Sequence, residues 1–472
     1  MTLPEPDETP QTSRCPAIRI ATLGCKVNQA DSEALAAALI RHGYRIAAAG
    51  ERAAACIVNT CAVTHVAEAK ARKLVRQLAR NNPGAALVIT GCYAERAAEE
   101  LARIPGVARV VPNDRKGEVG EIIEEMVRNG DSYLFPDGCS AFPRRLHETG
   151  NSPRASGPRP ARPGSVRAFV KVQDGCDHRC SYCIVPDVRG PTRSRPVGEV
   201  VAEMHALAEA GAREIVICGI RLGAYGEERQ GRGLARLLDA AREVPVPRLR
   251  LSSVEPWDVG EELLQEIADN PLLCPHLHLP LQSGDDGILG AMGRPYSFDD
   301  YHQLILNLRR IAPDIAVTTD VMVGFPAESE DAFANTCRAV EDIGFARAHV
   351  FRYSRRPGTR ADAMPGQVPE EEKNRRSAHL ATLARKSAQR FAERFVGRVV
   401  PVLFEEWAQG RCAGLTDTYI SAAVSGDPSL VGHVAGVKVT AVESNRITGR
   451  LARAPAGQEL PAATSIQCAR PV

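Results

Sequence analysis

The sequence GCDHRCSYC, Gly175–Cys183, holds three of the chain's 14 cysteines in a Cys-x3-Cys-x2-Cys run. It follows an apolar, β-branched stretch, Ala168–Val172, which predicts a buried strand. Barrels of alternating strands and helices place their chemistry at the carboxyl ends of the strands. Three thiolates on one short loop are suited to three corners of a cuboidal [4Fe–4S] cluster, and the fourth iron is then free to bind a small molecule.

A structural zinc site is the main alternative for this loop. Such sites use four ligands and commonly pair two Cys-x2-Cys elements. His178 is the nearest fourth donor, but it is squeezed between two cysteines, and no second pair follows at suitable spacing. We therefore favour the iron–sulfur interpretation.

Strand and helix signals alternate around this loop from residue 167 to 395. Further strands are predicted at Glu214–Cys218, Arg248–Ser252, His276–Leu279, Ala316–Val323 and Ala346–Phe351. We expect these parallel strands to form a full or partial (βα) barrel, closed by a long polar helix, Glu370–Phe395.

Residues 17–130 carry the same alternation and predict an open parallel α/β sheet of the doubly wound type. Its strands are predicted at Ile18–Leu23, Cys56–Asn59, Leu87–Thr90 and Val107–Val111. Cys25, Cys61 and Cys92 each lie one or two residues beyond one of them, so three thiols should meet at one sheet edge, near helix starts that favour thiolate. This set predicts a second [4Fe–4S] cluster with an open iron.

The remaining segments differ in character. Residues 131–166 are rich in Pro, Gly, Ser and Arg and are expected to be a linker, and residues 454–472 a disordered tail. Between them, residues 396–453 show period-two alternation, which predicts a small antiparallel β-barrel lying outside both cysteine-bearing domains. Its strands are predicted at Val399–Phe404, Tyr419–Val424, His433–Val442 and Ile447–Leu451.

Composition narrows the class of protein. With 44% hydrophobic and 25% charged residues in 472, the chain is globular, and no apolar run is long enough for a membrane span. The start of the chain has no apolar signal region, so we expect a cytoplasmic protein. A net charge of +2 does not reveal a nucleic-acid partner.

Four further cysteines lie in apolar runs and are expected in the core: Cys56, Cys218, Cys274 and Cys337. Four others are scattered through ends, linker and loops: Cys15, Cys139, Cys412 and Cys468.

The motif Cys-x3-Cys-x-aromatic-Cys, with Tyr182 in the aromatic position, resembles the signature of radical S-adenosylmethionine enzymes. The resemblance implies that S-adenosylmethionine binds the open iron through its amino and carboxylate groups. It also implies that one electron, supplied by a reducing donor, cleaves the cofactor to a 5′-deoxyadenosyl radical. Ser253, Glu255 and Gly324 are candidate cofactor contacts; no other catalytic residue is assigned.

Two open clusters with a β-barrel behind them resemble the methylthiotransferases over about Ala17–Leu451. The matching blocks include RLSSVEP (Arg250–Pro256), HLHLPLQSGDDGIL (His276–Leu289) and DVMVGFPAES (Asp320–Ser329). The carboxyl-terminal barrel resembles the TRAM domain, an RNA-binding module. The resemblance implies that the auxiliary cluster carries sulfur from a sulfur source, that one S-adenosylmethionine methylates it, and that a second yields the radical for methylthio transfer.

The amino-terminal blocks resemble one branch of that family. Gly-Cys-Lys-Val-Asn (Gly24–Asn28) and Asn-Thr-Cys-Ala-Val-Thr (Asn59–Thr64) resemble the branch that acts on N6-threonylcarbamoyladenosine at tRNA position 37. The isopentenyladenosine branch tends to show Gly-Cys-Gln-Met-Asn, and the branch acting on a ribosomal-protein aspartate tends to show Gly-Cys-x-Lys-Asn. Both remain alternatives, as do a non-catalytic iron–sulfur carrier and a zinc-stabilised protein that bind RNA.

Basic residues give modest independent support for an RNA partner. The candidates are Lys73, Arg76 and Arg80 on one helix face and Arg398 and Lys438 on the β-barrel. Clustered Lys and Arg side chains hold backbone phosphates, although a solvated face is the usual role of such a stripe.

Overall fold

The computed structural model describes residues 16–48, 50–128, 166–226 and 233–452. The expected linker (apart from Val166) and the expected tail lie outside these residues, as do Cys15, Cys139 and Cys468. Within the described ranges, no helix is both long and apolar enough to cross a bilayer.

The first domain is the open parallel sheet that the sequence predicts. Its strand order is β2-β1-β3-β4-β5, and one apolar cluster lies on each face. The strands are β1 Ala17–Thr22, β2 Arg45–Ile46, β3 Ala55–Thr60, β4 Ala86–Gly91 and β5 Val107–Val110. The helices are α1 Lys26–Arg41, α2 His65–Asn81, α3 Cys92–Arg96, α4 Ala98–Ala102 and α5 Val119–Arg128.

The second domain is a partial barrel of six parallel strands. Two three-stranded sheets, β10-β9-β6 and β11-β12-β13, are joined by parallel bridges at Leu249–Leu273 and Ser253–His278. The six strands are β6 Arg167–Lys171, β9 Glu214–Cys218, β10 Arg248–Leu251, β11 His276–His278, β12 Ala316–Val323 and β13 Arg347–Arg352. A separate antiparallel pair is formed by β7 Gln173–Asp174 and β8 Arg193–Ser194. The helices are α6 Val185–Arg189, α7 Val197–Glu209, α8 Gly233–Ala240, α9 Glu261–Asp269, α10 Asp286–Met292, α11 Phe298–Ile311, α12 Glu330–Ile343 and α13 Glu370–Glu393.

The third domain is a closed barrel of five strands in the order β14-β15-β16-β18-β17. The strands are β14 Val399–Ala408, β15 Arg411–Thr416, β16 Ser421–Ser425, β17 Val434–Glu443 and β18 Arg446–Leu451. Only four were predicted, because β15 contains Gly414 and little alternation. A Cβ at Gly414 would lie 2.0 Å from the Leu403 carbonyl oxygen, so glycine lets β14 approach closely. Cys412, expected in a loop, is buried in β15.

The small barrel is a domain separate from both cysteine-bearing domains, and it is docked on the larger barrel. Arg248 and Arg250, which begin β10 and lie within it, donate hydrogen bonds to the carbonyls of Leu415, Thr416 and Asp417 at 2.7–3.2 Å. These three carbonyls lie where β15 ends and its turn begins. The same turn places the Tyr419 ring among residues of β6, β10 and β11. The turn therefore forms part of the end wall of the larger barrel, here called its floor.

Candidate functional site

The first cysteine set lies on the loop after β7, at the carboxyl end of the first barrel strand. Cys176 donates its backbone N–H to the Gly190 carbonyl at 3.0 Å, and Cys183 donates to the Cys180 carbonyl at 3.1 Å. All three thiols are half-buried. Burial raises the pKa of each thiol; neighbouring thiols add to the rise at Cys176 and Cys183, whereas Arg294 acts to lower the pKa of Cys180. The loop therefore gathers the three sulfurs in one small volume.

Helix α10 and the turn after it hold this loop in place. Ser181 donates its backbone N–H to the Met292 carbonyl at 2.9 Å, and His178 Nε2 donates to the Gly293 carbonyl at 2.8 Å. Tyr182, the aromatic residue of the motif, packs against an apolar cluster that includes Met292 and Phe325. Its ring anchors the loop to the barrel.

Arg294 is a site residue that the sequence analysis missed. Its side chain is 1% exposed, its Nη1 donates to Cys180 Sγ at 3.6 Å, and it forms an ion pair with Glu255. The guanidinium lies 4.4 Å from the centre of the Trp257 ring. A buried cation and a carboxylate thus stand beside the three thiols. No sequence motif marked Arg294, because its contact with Cys180 spans 114 residues.

The other candidate cofactor contacts lie at the same end of the barrel. Ser253 pairs with His278 in the bridge that joins the two sheets, and Glu255 is engaged by Arg294. Gly324 has a φ of +73° and donates its N–H to Glu328 Oε2 at 2.7 Å. A Cβ at Gly324 would lie 2.3 Å from Lys373 Cγ. The packing of Lys373 is therefore sufficient by itself to require glycine at this position.

The second cysteine set lies at the ends of three adjacent strands, as the sequence predicts. Cys25 is the N-cap of α1, Cys61 directly follows β3, and Cys92 is the first residue of α3. Cys25 is exposed, whereas Cys61 and Cys92 are buried. A Cβ at Gly24 would lie 3.2 Å from Cys61 Sγ, so the β1–α1 turn packs directly on that thiol. Burial raises the pKa of Cys61 to about 11, and the Cys92 and Cys25 thiols also act to raise it.

Arg189 connects the two cysteine sets. It ends α6, six residues after Cys183, and its side chain is 1% exposed. Its Nε donates to Cys92 Sγ at 3.2 Å, and its Nη1 donates to Asp174 at 2.8 Å. Its Nη2 donates to Asn28 Oδ1 at 2.5 Å. The helix that leaves the first cysteine loop therefore delivers a buried cation to the second set.

A group of polar side chains surrounds the Tyr419 ring inside the barrel. Lys26 Nζ lies 5.3 Å from the centre of the Tyr419 ring, and that ring lies 4.6 Å from the His276 ring. Arg250 faces the same ring at 4.9 Å. Burial lowers the pKa of the Lys26 ammonium. The barrel interior is therefore polar where it meets the first domain.

The comparisons with known proteins agree with this domain order. Family models match at residues 17–112 (Uncharacterized protein family UPF0004), 170–340 (Radical SAM superfamily) and 393–452 (TRAM domain). The threonylcarbamoyladenosine tRNA methylthiotransferase MtaB of Thermotoga maritima is 36% identical over 433 residues, which cover 91% of this chain and 96% of that protein. The chain belongs to the radical S-adenosylmethionine methylthiotransferases.

Relatives of this methylthiotransferase carry two different names. MtaB of Bacillus subtilis is 34% identical and covers 89% of this chain and 92% of its own. The tRNA-2-methylthio-N(6)-dimethylallyladenosine synthase of Nitratidesulfovibrio vulgaris is 37% identical, and the match covers 82% of this chain and 85% of that protein. Among solved structures, the radical S-adenosylmethionine methyltransferase TsrM of Kitasatospora setae has a TM-score of 0.52 at 16% identity. The match covers 74% of this chain and 77% of that chain. That likeness concerns the fold alone.

Like its family, this methylthiotransferase uses S-adenosylmethionine and two [4Fe–4S] clusters. The two cysteine sets fit such clusters chemically. In the described part of the chain, no three His, Cys, Asp or Glu side chains are placed to hold a single metal ion. Three thiolates of a cuboidal cluster bind three different irons, which suits sets spread over a loop or a sheet edge. Burial raises the pKa of several of these thiols, but bound iron would hold them in the thiolate form.

The candidate RNA contacts lie on the first and third domains. All five are exposed, among them Lys73, Arg76 and Arg80 on α2 and Lys438 on β17. Arg398 is exposed but ion-paired, with its Nη1 3.0 Å from Asp314 Oδ1. A cavity of about 370 Å³ lined by Arg309, Arg390 and Arg394 lies beside α13, and the sequence analysis did not identify it.

Proposed function

We propose that this enzyme adds a methylthio group to carbon 2 of N6-threonylcarbamoyladenosine at position 37 of tRNA. The observation that carries the proposal is the hydrogen bond from Arg189 to Cys92 Sγ, because Arg189 ends the helix that leaves the first cysteine loop and thereby joins that loop to the second set. The enzyme would act in the cytoplasm with a reducing electron donor and a sulfur source. Domain boundaries at 17–130, 167–395 and 396–453 are part of the same proposal.

We assign Cys176, Cys180 and Cys183 to the cluster that binds S-adenosylmethionine. That cluster supplies the electron for reductive cleavage when it is bound. Arg294 would hold a positive charge beside Cys180 and fix the orientation of Glu255. Tyr182 and Gly324 would keep the loop and the strand end in place, and Ser253 and Glu255 would contact the cofactor.

We assign Cys25, Cys61 and Cys92 to the auxiliary cluster, which supplies the sulfur. Arg189 would stabilise the Cys92 thiolate by its charge-assisted hydrogen bond. Because Asn28 and Asp174 hold the other two nitrogens of the guanidinium, Arg189 is fixed in orientation. This assignment predicts that mutation of one cysteine set removes the cluster of that set and leaves the other cluster in place.

The sequence around Cys25 and Cys61 favours threonylcarbamoyladenosine as the target, because it resembles that branch. Relatives named for that reaction match 82–91% of this chain at 34–37% identity. Relatives named tRNA-2-methylthio-N(6)-dimethylallyladenosine synthase match at 34–37% identity, so isopentenyladenosine is the second candidate.

The exposed basic side chains on α2 and on the small barrel would hold the tRNA backbone. Lys73, Arg76 and Arg80 stand on the helix that follows Cys61, so a bound backbone would pass close to the auxiliary set. Lys438 and Arg398 would extend the contact on the TRAM barrel, and Arg398 would have to leave Asp314 to do so.

Nucleoside mass spectrometry of tRNA from cells that lack the gene tests the proposal. We expect the 2-methylthio form of threonylcarbamoyladenosine to disappear, the unmodified form to accumulate, and a plasmid copy to restore the product. Loss of the methylthio-isopentenyl nucleoside instead would establish the second candidate. If both tRNA nucleosides are unchanged and a ribosomal-protein aspartate loses its methylthio group, tRNA is not the substrate.

A further inference from the structure

Lys26 is a lysine of the barrel interior although it belongs to the first domain. It is the first residue of α1, and this helix start packs on the barrel: Val27 and Ala30 form an apolar cluster with Cys218, the last residue of β9. The Lys26 side chain ends 5.3 Å from the centre of the Tyr419 ring. That ring is surrounded by residues of β6, β10 and β11, so the ammonium lies inside the barrel.

The Lys26 ammonium lacks a matching anion. Within the described ranges it makes no hydrogen bond or ion pair with a side chain or carbonyl, and its one polar contact is the Tyr419 ring. Neighbouring lysines differ, because Lys116 and Lys171 both form ion pairs with Asp31. Lys26 is half-buried, and charges drawn out of water in this way are normally paired, so an unpaired ammonium inside the barrel is suited to an anionic ligand.

The nearest arginines do not lack partners in the same way. Arg167 and Arg250 share the carboxylate of Glu214, at 2.8 and 3.0 Å. Their charge is therefore matched within the fold, whereas that of Lys26 is not. Asp320, a carboxylate of β12, lies 3.4 Å from His278 Nε2.

We propose that the Lys26 ammonium binds the threonyl carboxylate of the substrate nucleoside. The inference rests on the proposed function and names the group that selects its substrate. Lys26 is adjacent to Cys25, with Cα atoms about 3.8 Å apart, so an anion held there is within one lysine side chain of the auxiliary set. An isopentenyl group carries no charge and would leave the half-buried ammonium unpaired, which disfavours the isopentenyl nucleoside.

The test measures binding of anticodon stem-loop RNAs to the reconstituted holoenzyme, without reductant so that no turnover occurs. The RNAs carry at position 37 threonylcarbamoyladenosine, its threonine amide, isopentenyladenosine or adenosine. Wild-type enzyme should prefer the acid over the amide by about ten- to a hundredfold in Kd, the range for a buried charge-assisted contact. Lys26→Met should lose that preference, and Lys26→Arg should keep most of it.

Lys73→Met, on the exposed face of α2, is the matched control, and it should weaken all four RNAs by the same factor. Equal binding of acid and amide by wild-type enzyme would overturn the inference, as would an undiminished preference in Lys26→Met. Because the amide comparison uses unaltered protein, it decides the matter even if Lys26→Met loses iron. If wild-type enzyme instead prefers isopentenyladenosine over both, the proposed function has failed rather than the role of Lys26.

Discussion

Replacement of Glu214 by Gln should loosen the floor of the barrel. Glu214 begins β9 and is fully buried, and three guanidiniums converge on it. The closest nitrogens of Arg167, Arg248 and Arg250 lie 2.8, 2.7 and 3.0 Å from its oxygens. Glutamine keeps the size of the side chain but removes the charge that these cations share. Since Arg250 also holds the turn that carries Tyr419, the effect should reach the docked small barrel.

The magnitude follows from the pKa of the Glu214 carboxyl. Burial acts to raise it, but Arg250, Arg167 and Arg248 outweigh burial and hold the pKa at about 2, against an ordinary 4.5. A difference of this size corresponds to about 3 kcal/mol of stability at neutral pH. Breaking a buried ion pair typically costs about 3–5 kcal/mol, which agrees. Because the folded pKa is lowered, the stabilisation is complete above pH 4.5 and is lost as pH falls from 4.5 toward 2.

Denaturant unfolding of wild type and Glu214→Gln, followed at several pH values, measures this effect. The difference in free energy of unfolding should be constant from pH 7 to 5 and shrink below pH 4.5. Glu372→Gln is the control: the guanidiniums of Arg375 and Arg376 hold its pKa at about 2 as well, but on the surface, where solvent screens the charges. A loss below about 1 kcal/mol at pH 7 would refute the reasoning, and so would a difference that grows in acid.

Three further outcomes are expected. Cys61→Ala should still form 5′-deoxyadenosine but yield no methylthio nucleoside, and product at wild-type yield would make the strand-end cysteines core residues. Arg189→Leu, which removes the cation beside the Cys92 thiol, should lower iron content from about eight toward four per chain, with Arg189→Lys intermediate; full iron in the leucine variant would contradict its role. Replacing Lys73, Arg76 and Arg80 by Gln should weaken tRNA binding and reduce its salt dependence by about three phosphate contacts, and an unchanged salt slope would remove α2 from the RNA surface.

The strand-end cysteines could be predicted from sequence because strand periodicity fixes where a parallel strand stops. Once β1, β3 and β4 are neighbours, residues just beyond them must share an edge. Helical periodicity predicts a helix over Ala30–His42, four residues later than the start of α1 at Lys26, because Lys26 to Gln29 carry no capping signal. That error concealed Cys25 as the N-cap and the entry of Lys26 into the barrel.

The polar contacts between domains could not be predicted in this way. Arg189 and Cys92 are 97 residues apart, and Arg294 and Cys180 are 114 apart. Local patterns report which residues favour a strand or a helix, whereas a buried guanidinium finds its partner only after domains pack. For the same reason, the docking of the small barrel through Arg250 was absent from the sequence-based picture.

The contacts of Tyr419 couple the evolution of the small barrel to that of the larger barrel. A recombination event that exchanged the TRAM barrel between relatives would also exchange the floor of the larger barrel. The incoming turn would have to suit the guanidinium of Arg250, which contacts Asp417 across 167 residues of chain, and the ring of His276. Substitutions in this turn and in β10 and β11 should therefore have been selected together, so that the RNA-binding module and the catalytic barrel diverge as one inherited unit.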